Sequence, residues 1–299
     1  MKSGFVTVVG RPNAGKSTLI NRFIGEKVAI TSPKPQTTRT NLRAIVNGKG
    51  YQLIFIDTPG IHTPKTKLGE YMVESAVSGM ESVDAIIYML DAEASQKGIQ
   101  QGDLEIVEKL KKIKNTPVFL AVNKVDAVPK ESLLGMIKEL TDLMEFKDVV
   151  PVSALKNDGV KILLNEVLKV IPEGPKYYDD DIITDSTVKE ICTEIIREKI
   201  LRFTNEEVPH GAGIEIIIFK EPMRPGATCH IEANIYCEKN SHKGILIGKE
   251  GAMLKRIGSS ARFDMEKLIG SKVNLKLWVK VKDDWRNSPG MLKELGYNK

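Results

Sequence analysis

A doubly wound α/β domain with a mostly parallel sheet, followed by a smaller α+β domain, is the architecture the sequence predicts. Near-continuous apolar runs at residues 85–90 and 118–122 read as strands buried on both faces, as parallel strands are. Helical patterns at 68–79, 104–113, 133–144 and 159–170 alternate with the strand runs, the order that winds helices over both faces of such a sheet. The alternation stops at Pro172, and helix, strand, strand, helix, strand follows, so the 299 residues divide into two domains of ordinary size.

Composition narrows the class. No apolar run approaches membrane-spanning length and no leader pattern opens the chain, so the expected location is the cytoplasm. The three cysteines, Cys192, Cys229 and Cys237, have neither metal nor redox spacing and read as reduced, buried residues. Charge is uneven: residues 1–185 carry 24 basic and 24 acidic side chains, so the whole net charge of +5 belongs to the remainder. That imbalance suits a polyanionic partner for the second domain.

The first strand, 5–9, runs into the octapeptide Gly-Arg-Pro-Asn-Ala-Gly-Lys-Ser, Gly10 to Ser17, and then a short helix to residue 24. A strand that ends in a glycine-bounded loop opening a helix turns backbone N–H groups toward one point, and the helix N-terminus adds positive charge there. Polyphosphate fits such a cradle. Gly10 and Gly15 supply its backbone freedom, Asn13, Ala14 and Thr18 complete its wall, Lys16 reaches β- and γ-phosphates, and Ser17 offers a hydroxyl to Mg²⁺.

A proline-broken loop follows at 31–41, containing Gln36, Thr37, Thr38 and Arg39. Thr38 is the expected second hydroxyl on Mg²⁺, engaged only while a γ-phosphate holds the loop. Runs at 42–46 and 52–56, joined by Asn-Gly-Lys-Gly, form a hairpin that ends in Asp57, Thr58, Pro59 and Gly60. A carboxylate at the end of a buried strand can hold Mg²⁺, and the Gly60 N–H can report the third phosphate.

After the strand at 118–122 come Asn123, Lys124 and Asp126, and after the strand at 149–152 come Ser153, Ala154 and Leu155. A carboxylate accepts two hydrogen bonds from guanine N1–H and its 2-amino group, neither of which adenine has, so Asp126 selects guanine. Asn123 would tether the loop, Lys124 lie along the ring, and the Ser-Ala-Leu turn give an N–H to guanine O6.

These motifs, in this order, resemble those of Ras-like P-loop GTPases of the translation-factor type, which implies GTP and GDP as ligands. The Pro-Asn pair and the Gln-Thr-Thr-Arg segment look like the bacterial ribosome-associated subgroup. Ile61 stands where Ras-type enzymes carry a water-orienting glutamine, so intrinsic hydrolysis should be slow. In similar GTPases the asparagine matching Asn13 helps bind K⁺.

Residues 173–187, with Pro-Glu-Gly-Pro around residue 173 and three consecutive aspartates, read as an acidic linker between a domain at 1–172 and another at 188–299. The second domain begins with an amphipathic helix at 188–203, continues through strands at 214–219 and 229–237, and ends with a strand at 273–281. Cys229, Ile231, Ala233, Ile235 and Cys237 share one strand face, which reads as core, and His210 beside Pro and Gly reads as a loop residue.

Between its last two strands lies a Gly-x-x-Gly segment, Gly248, Lys249, Glu250, Gly251, approached by Ile245 and Ile247 and followed by Lys255 and Arg256. This order resembles a type II KH domain, in which glycines let about four single-stranded nucleotides approach, lysines meet phosphate and apolar side chains carry bases. The whole chain, including the helix around 194–201, is similar to the Era family of bacterial GTPases. That resemblance implies binding to the 3′ end of 16S rRNA, a role in 30S subunit assembly, peripheral membrane association and a monomer. Two other classes remain open: an RNA chaperone whose hydrolysis is incidental, and the GTPase component of an RNA-modifying enzyme.

Overall fold

The computed structural model of the chain describes every residue except 33, 35, 36, 62, 206, 223, 225, 298 and 299. Gln36, expected in the first switch, lies outside the described residues. Two compact units emerge: Met1–Pro64 with Met72–Asp185, and Ser186–Lys299 with Lys65–Tyr71.

The first unit is built on β1 (Lys2–Gly10), β2 (Leu42–Gly48), β3 (Tyr51–Asp57), β4 (Ala85–Asp91), β5 (Val118–Asn123) and β6 (Asp148–Pro151), in the order β2-β3-β1-β4-β5-β6. Every residue of β4 and β5 is buried, as their unbroken apolar runs predict. All neighbours are parallel except β2 and β3, whose antiparallel register closes Gly48 onto Tyr51 around a two-residue turn with Gly50 at φ 83°. On one face α1 (Lys16–Ile24) and α5 (Val160–Val170) bury Phe23, Leu163 and Val167 against Val8 and Phe55. On the other, α3 (Gln101–Leu110) and α4 (Lys130–Leu143) pack Ile106, Leu110 and Leu140 over Ile86, Tyr88 and Leu120. α2 (Lys67–Ser78) adds Ala76 to that layer. The carboxyl ends of β1, β3, β4 and β5 therefore open at one rim, where ligands of doubly wound sheets bind.

The stretch read as an acidic linker groups with the first unit as far as Asp185. Gln52, fully buried in β3, accepts the N–H groups of Tyr177 at 2.7 Å and Tyr178 at 2.9 Å, and its own amide donates to the Tyr178 carbonyl at 2.8 Å. Farther along, the Ile45 N–H of β2 donates to the Ile183 carbonyl at 2.9 Å. An edge strand offers unpaired backbone groups, and the acidic strap covers them. Composition reports the side chains of such a strap and says nothing of its backbone pairing.

The second unit contains α6 (Val188–Phe203), β7 (Gly213–Lys220), β8 (Cys229–Cys237), α7 (Asn240–Ile247), α8 (Ala252–Ile269), β9 (Val273–Val281) and α9 (Pro289–Glu294). Its sheet runs β7-β8-β9, antiparallel then parallel, and Ile196, Ile231, Ile235, Ile257 and Met265 form its core. Thr187 starts α6 with a reciprocal cap to Glu190, at 3.2 Å and 2.7 Å. The cysteines are buried free thiols, and burial pushes Cys192 up to about 12.

Two local expectations differ. Helix α6 does not turn all its charges outward: Arg197, Glu198 and Lys199 are buried, with Lys199 bridging Glu198 at 2.9 Å and pairing with Asp264 of α8. Helices α7 and α9 were not expected, because each spans under three turns and α7 carries Gly244 and buries only Leu246. Among the described residues no helix is long and apolar enough to cross a membrane.

Candidate nucleotide and RNA sites

At the rim of the sheet the motif residues line one cleft of about 740 Å³, which takes in Asn13, Lys16, Ser17, Thr18, Thr37, Thr38, Gly60, Asn123, Lys124, Asp126, Ala154 and Leu155. Gly15 adopts φ 102°, and a Cβ there would lie 2.3 Å from the Asn123 amide nitrogen, so both conformation and space demand glycine. A Cβ on Gly10 would meet the Met89 carbonyl at 2.6 Å. Asn13 also holds a left-handed conformation, at φ 66°. Lys16 Nζ donates to the carbonyls of Gly10 at 3.1 Å and Arg11 at 3.0 Å.

Asp57 Oδ2 accepts from the Ser17 hydroxyl at 2.7 Å and from the Thr38 hydroxyl at 3.2 Å, and the two hydroxyls are 3.1 Å apart. Three hard oxygen donors thus converge from β3, α1 and the first switch, the set that suits Mg²⁺ and would hold it. Thr58 is fixed behind them by a 2.8 Å bond to the Val8 carbonyl, and Pro59 and Arg39 are buried. Ile61 is 2% exposed inside the core, so its side chain stays away from the cleft.

The base loop is tied to the phosphate loop by Asn123. Its amide donates to the Ala14 carbonyl at 2.7 Å and its oxygen accepts the Ala154 N–H at 3.0 Å. The Ser153 N–H is committed to the Asp158 carbonyl at 2.9 Å. Two of the three amides offered by the Ser-Ala-Leu turn are therefore used within the protein. Lys124, expected along the base, pairs through Nζ with Asp91 at 2.6 Å and Glu93 at 3.4 Å. Arg22 of α1 supports the turn by donating to the carbonyls of Ala154 at 2.9 Å and Leu155 at 2.7 Å. Sequence reading missed Asp91, Glu93 and Arg22. Asp91 was accessible to the logic used for Asp57, a carboxylate closing a buried strand, whereas nothing local marks Arg22.

Burial lowers Lys16 to about 8, against the pull of Asp57. Between that value and its ordinary one the unfolded chain holds a proton that the folded chain lacks, so this group makes stability rise with pH there. A polyphosphate bound there would restore preference for the charged amine. GDP binding should therefore take up about one proton near pH 9 and clearly less near pH 7.5, above the titration of the terminal phosphate, read by calorimetry in buffers of different ionisation heat. No uptake near pH 9 would contradict Lys16 as a phosphate contact.

In the second unit, Gly248 turns at φ 74°, and a Cβ there would lie 2.7 Å from Met253 Cβ. Glu250 is left-handed at φ 50°, and Gly251, at φ 78°, caps the N-terminus of α8. Lys249, Glu250, Lys255 and Arg256 are exposed, Ile245 is 47% exposed and Ile247 is half-buried against the core. Arg256 stacks its guanidinium 4.3 Å from the ring centre of Phe203, a partner sequence reading missed.

Comparison with known proteins decides the family. Residues 5–124 match the family described as 50S ribosome-binding GTPase, and residues 207–286 match the KH domain. The GTPase Era of Ruminiclostridium cellulolyticum is 55% identical over 296 residues, spanning 99% of this chain and 97% of that protein. The chain belongs to the Era family of GTPases. Era of Clostridium botulinum strain Kyoto is 51% identical across 100% of this chain and 99% of its own. A crystal structure of Era with MgGDPNP and nucleotides 1506–1542 of 16S ribosomal RNA is 39% identical and matches with a TM-score of 0.94, covering 100% of both chains. An Aquifex aeolicus Era variant bound to GDP·AlF4⁻ matches at 0.93, with 39% identity and the same coverage. The P-loop GTPase fold, the KH domain and GTPase activity expected from the sequence are those of the Era family.

Proposed function

We propose that this chain is a GTP-driven switch that binds the 3′ region of 16S rRNA through its KH unit and serves 30S subunit assembly. The observation that carries the reading is the convergence of Ser17, Thr38 and Asp57, because it joins the phosphate loop and both switch segments at one cation site. Mg²⁺ bound there would neutralise charge on the β- and γ-phosphates. Ser17, Thr38 and Asp57 hold it, Lys16 and the amides of residues 13–18 bind phosphate, and the Gly60 N–H meets the γ-phosphate. Gln36, Thr37, Thr38 and Arg39, with Asp57 through Ile61, form the segments that order in the GTP state and relax after hydrolysis.

Asn123, Lys124 and Asp126 hold guanine. Since Ser153 and Ala154 spend their amides internally, the N–H assigned to guanine O6 is that of Leu155. In the KH unit, Gly248 and Gly251 admit the RNA backbone, Lys249, Lys255 and Arg256 meet phosphate beside Glu250, and Ile245 and Ile247 carry bases. The domain assignment that accompanies this reading is GTPase at 1–172 and KH from 188, with the strap as the connection. A cytoplasmic monomer that touches the membrane peripherally through its basic second unit fits the same reading, supported by the charge imbalance.

Ile61, buried, leaves water orientation to another group, and the K⁺ role is assigned to Asn13, which lines the cleft. Single-turnover GTP hydrolysis should run about tenfold faster in KCl than in NaCl at equal ionic strength, and faster again with RNA matching the 16S 3′ end. Equal rates in the two salts would remove K⁺. A rate indifferent to RNA and too slow to matter would favour the chaperone.

A further inference from the structure

The first half of the phosphate loop is held from outside by a buried polar chain that the mechanism above does not use. Tyr88 of β4, fully buried, donates its hydroxyl to Asp103 Oδ1 at 3.0 Å, and Asp103 Oδ2 accepts from Arg11 Nη1 at 3.3 Å. Asp103 stands in the first turn of α3 and is 1% exposed. A Cβ on the preceding residue, Gly102, would press on Arg11 Cδ and Nε at 3.3 Å, so the arginine stem crosses α3 where the helix is thinnest.

The opposite side of the same segment meets the second switch. The Ile61 N–H approaches the Gly10 carbonyl at 3.4 Å, and Gly60 packs on Pro12 so closely that a Cβ would lie 2.7 Å from the proline nitrogen. Residues 10–12 are thereby sandwiched between α3 and Gly60, and the carbonyls of Gly10 and Arg11 anchor Lys16. We propose that Arg11, fixed by Asp103 and Tyr88, is a positioning residue for the γ-phosphate. It sets the segment from which Lys16 is aimed and against which Gly60 docks. The proposal rests on the reading of the cleft as a GTP site.

Stability does not account for the arrangement. Burial pushes the Asp103 carboxyl up, helped by Asp91, while Tyr88 and Arg11 pull it down without cancelling the rise. A desolvated carboxylate of this kind costs stability and fixes geometry. The amides that cradle α- and β-phosphates lie in residues 13–18, beyond the clamped segment, and Lys16 meets the β- and γ-phosphates alike, whereas the Gly60 contact with Pro12 serves the γ side alone. Loosening the clamp should thus separate GTP from GDP.

The test uses the full chain with Mg²⁺ and compares affinities for GDP and a non-hydrolysable GTP analogue by fluorescent-nucleotide displacement. Arg11→Ala should weaken the analogue about tenfold and GDP by less than about twofold, with Arg11→Lys recovering part of the loss. Asp103→Asn, which keeps an acceptor for Tyr88 and removes the buried charge, should act in the same direction without lowering Tm. In the unaltered chain the preference for the analogue should decline as Asp103 becomes protonated at acid pH, and in Asp103→Asn only the part due to the nucleotide's own phosphate should remain. Equal weakening of both nucleotides, or no change in either, overturns the proposal while leaving the GTP site intact. An unaltered chain that binds neither nucleotide would instead overturn the reading of the cleft.

Discussion

Asp126→Asn is expected to weaken GTP by about a hundredfold or more and to shift preference toward xanthosine triphosphate. Each hydrogen bond to a charged acceptor contributes about 1.5–3 kcal/mol and a neutral one about 1; the asparagine oxygen keeps one bond without its charge and the amide opposes the other guanine donor, so the loss is about 2.5–5 kcal/mol. At about 1.4 kcal/mol per tenfold, that is roughly a hundredfold to a few thousandfold. The asparagine amide instead donates to the 2-oxo group of xanthine, which repels a carboxylate. Asp126 sits on an exposed 3₁₀ turn, Val125–Ala127, so Tm should not move. The readout is competition between the two triphosphates for a fluorescent nucleotide. Unchanged GTP affinity would remove Asp126 from the base site.

The physical reason this site can be read so far from sequence is that its chemistry is local. Gly10 to Ser17 is one strand-loop-helix unit, and Asp57 and Asn123 each close a strand whose apolar run announces it. The parallel sheet then brings those strand ends to one rim without further instruction. What escaped depends on partners distant in the chain. Gln52 grips Tyr177 and Tyr178 across more than a hundred residues, and Arg22 supports Ala154 and Leu155 from another helix. In α6 the sequence reading sends charges to solvent, yet Lys199 lies between Glu198 and Asp264 of α8, a pairing that only tertiary packing creates. Helix α7 escaped because its eight residues bury a single leucine, too little periodicity for a pattern to register.

Gly251→Asp should reduce affinity for a single-stranded RNA matching the 16S 3′ end by about a hundredfold while leaving GTP binding intact. The choice between the two glycines of Gly-x-x-Gly follows from their surroundings. At Gly248 a new Cβ would collide with Met253 at 2.7 Å, so a loss of RNA binding there could reflect a disturbed α8. At Gly251 nothing lies within 4 Å of a new Cβ, and the left-handed backbone costs about 1–2 kcal/mol for a non-glycine residue. Aspartate there places a carboxylate where the RNA phosphate must pass, at a helix N-terminus otherwise suited to an anion. Filter binding with the chain loaded first with GDP and then with a GTP analogue adds the second half of the argument. If RNA prefers the analogue state by some factor, RNA must tighten the analogue by that same factor relative to GDP, since the two equilibria share one coupling energy. Equal RNA affinity in both nucleotide states, with the Gly251→Asp loss still present, would keep the KH unit as the RNA site and cut its thermodynamic link to the GTP cleft.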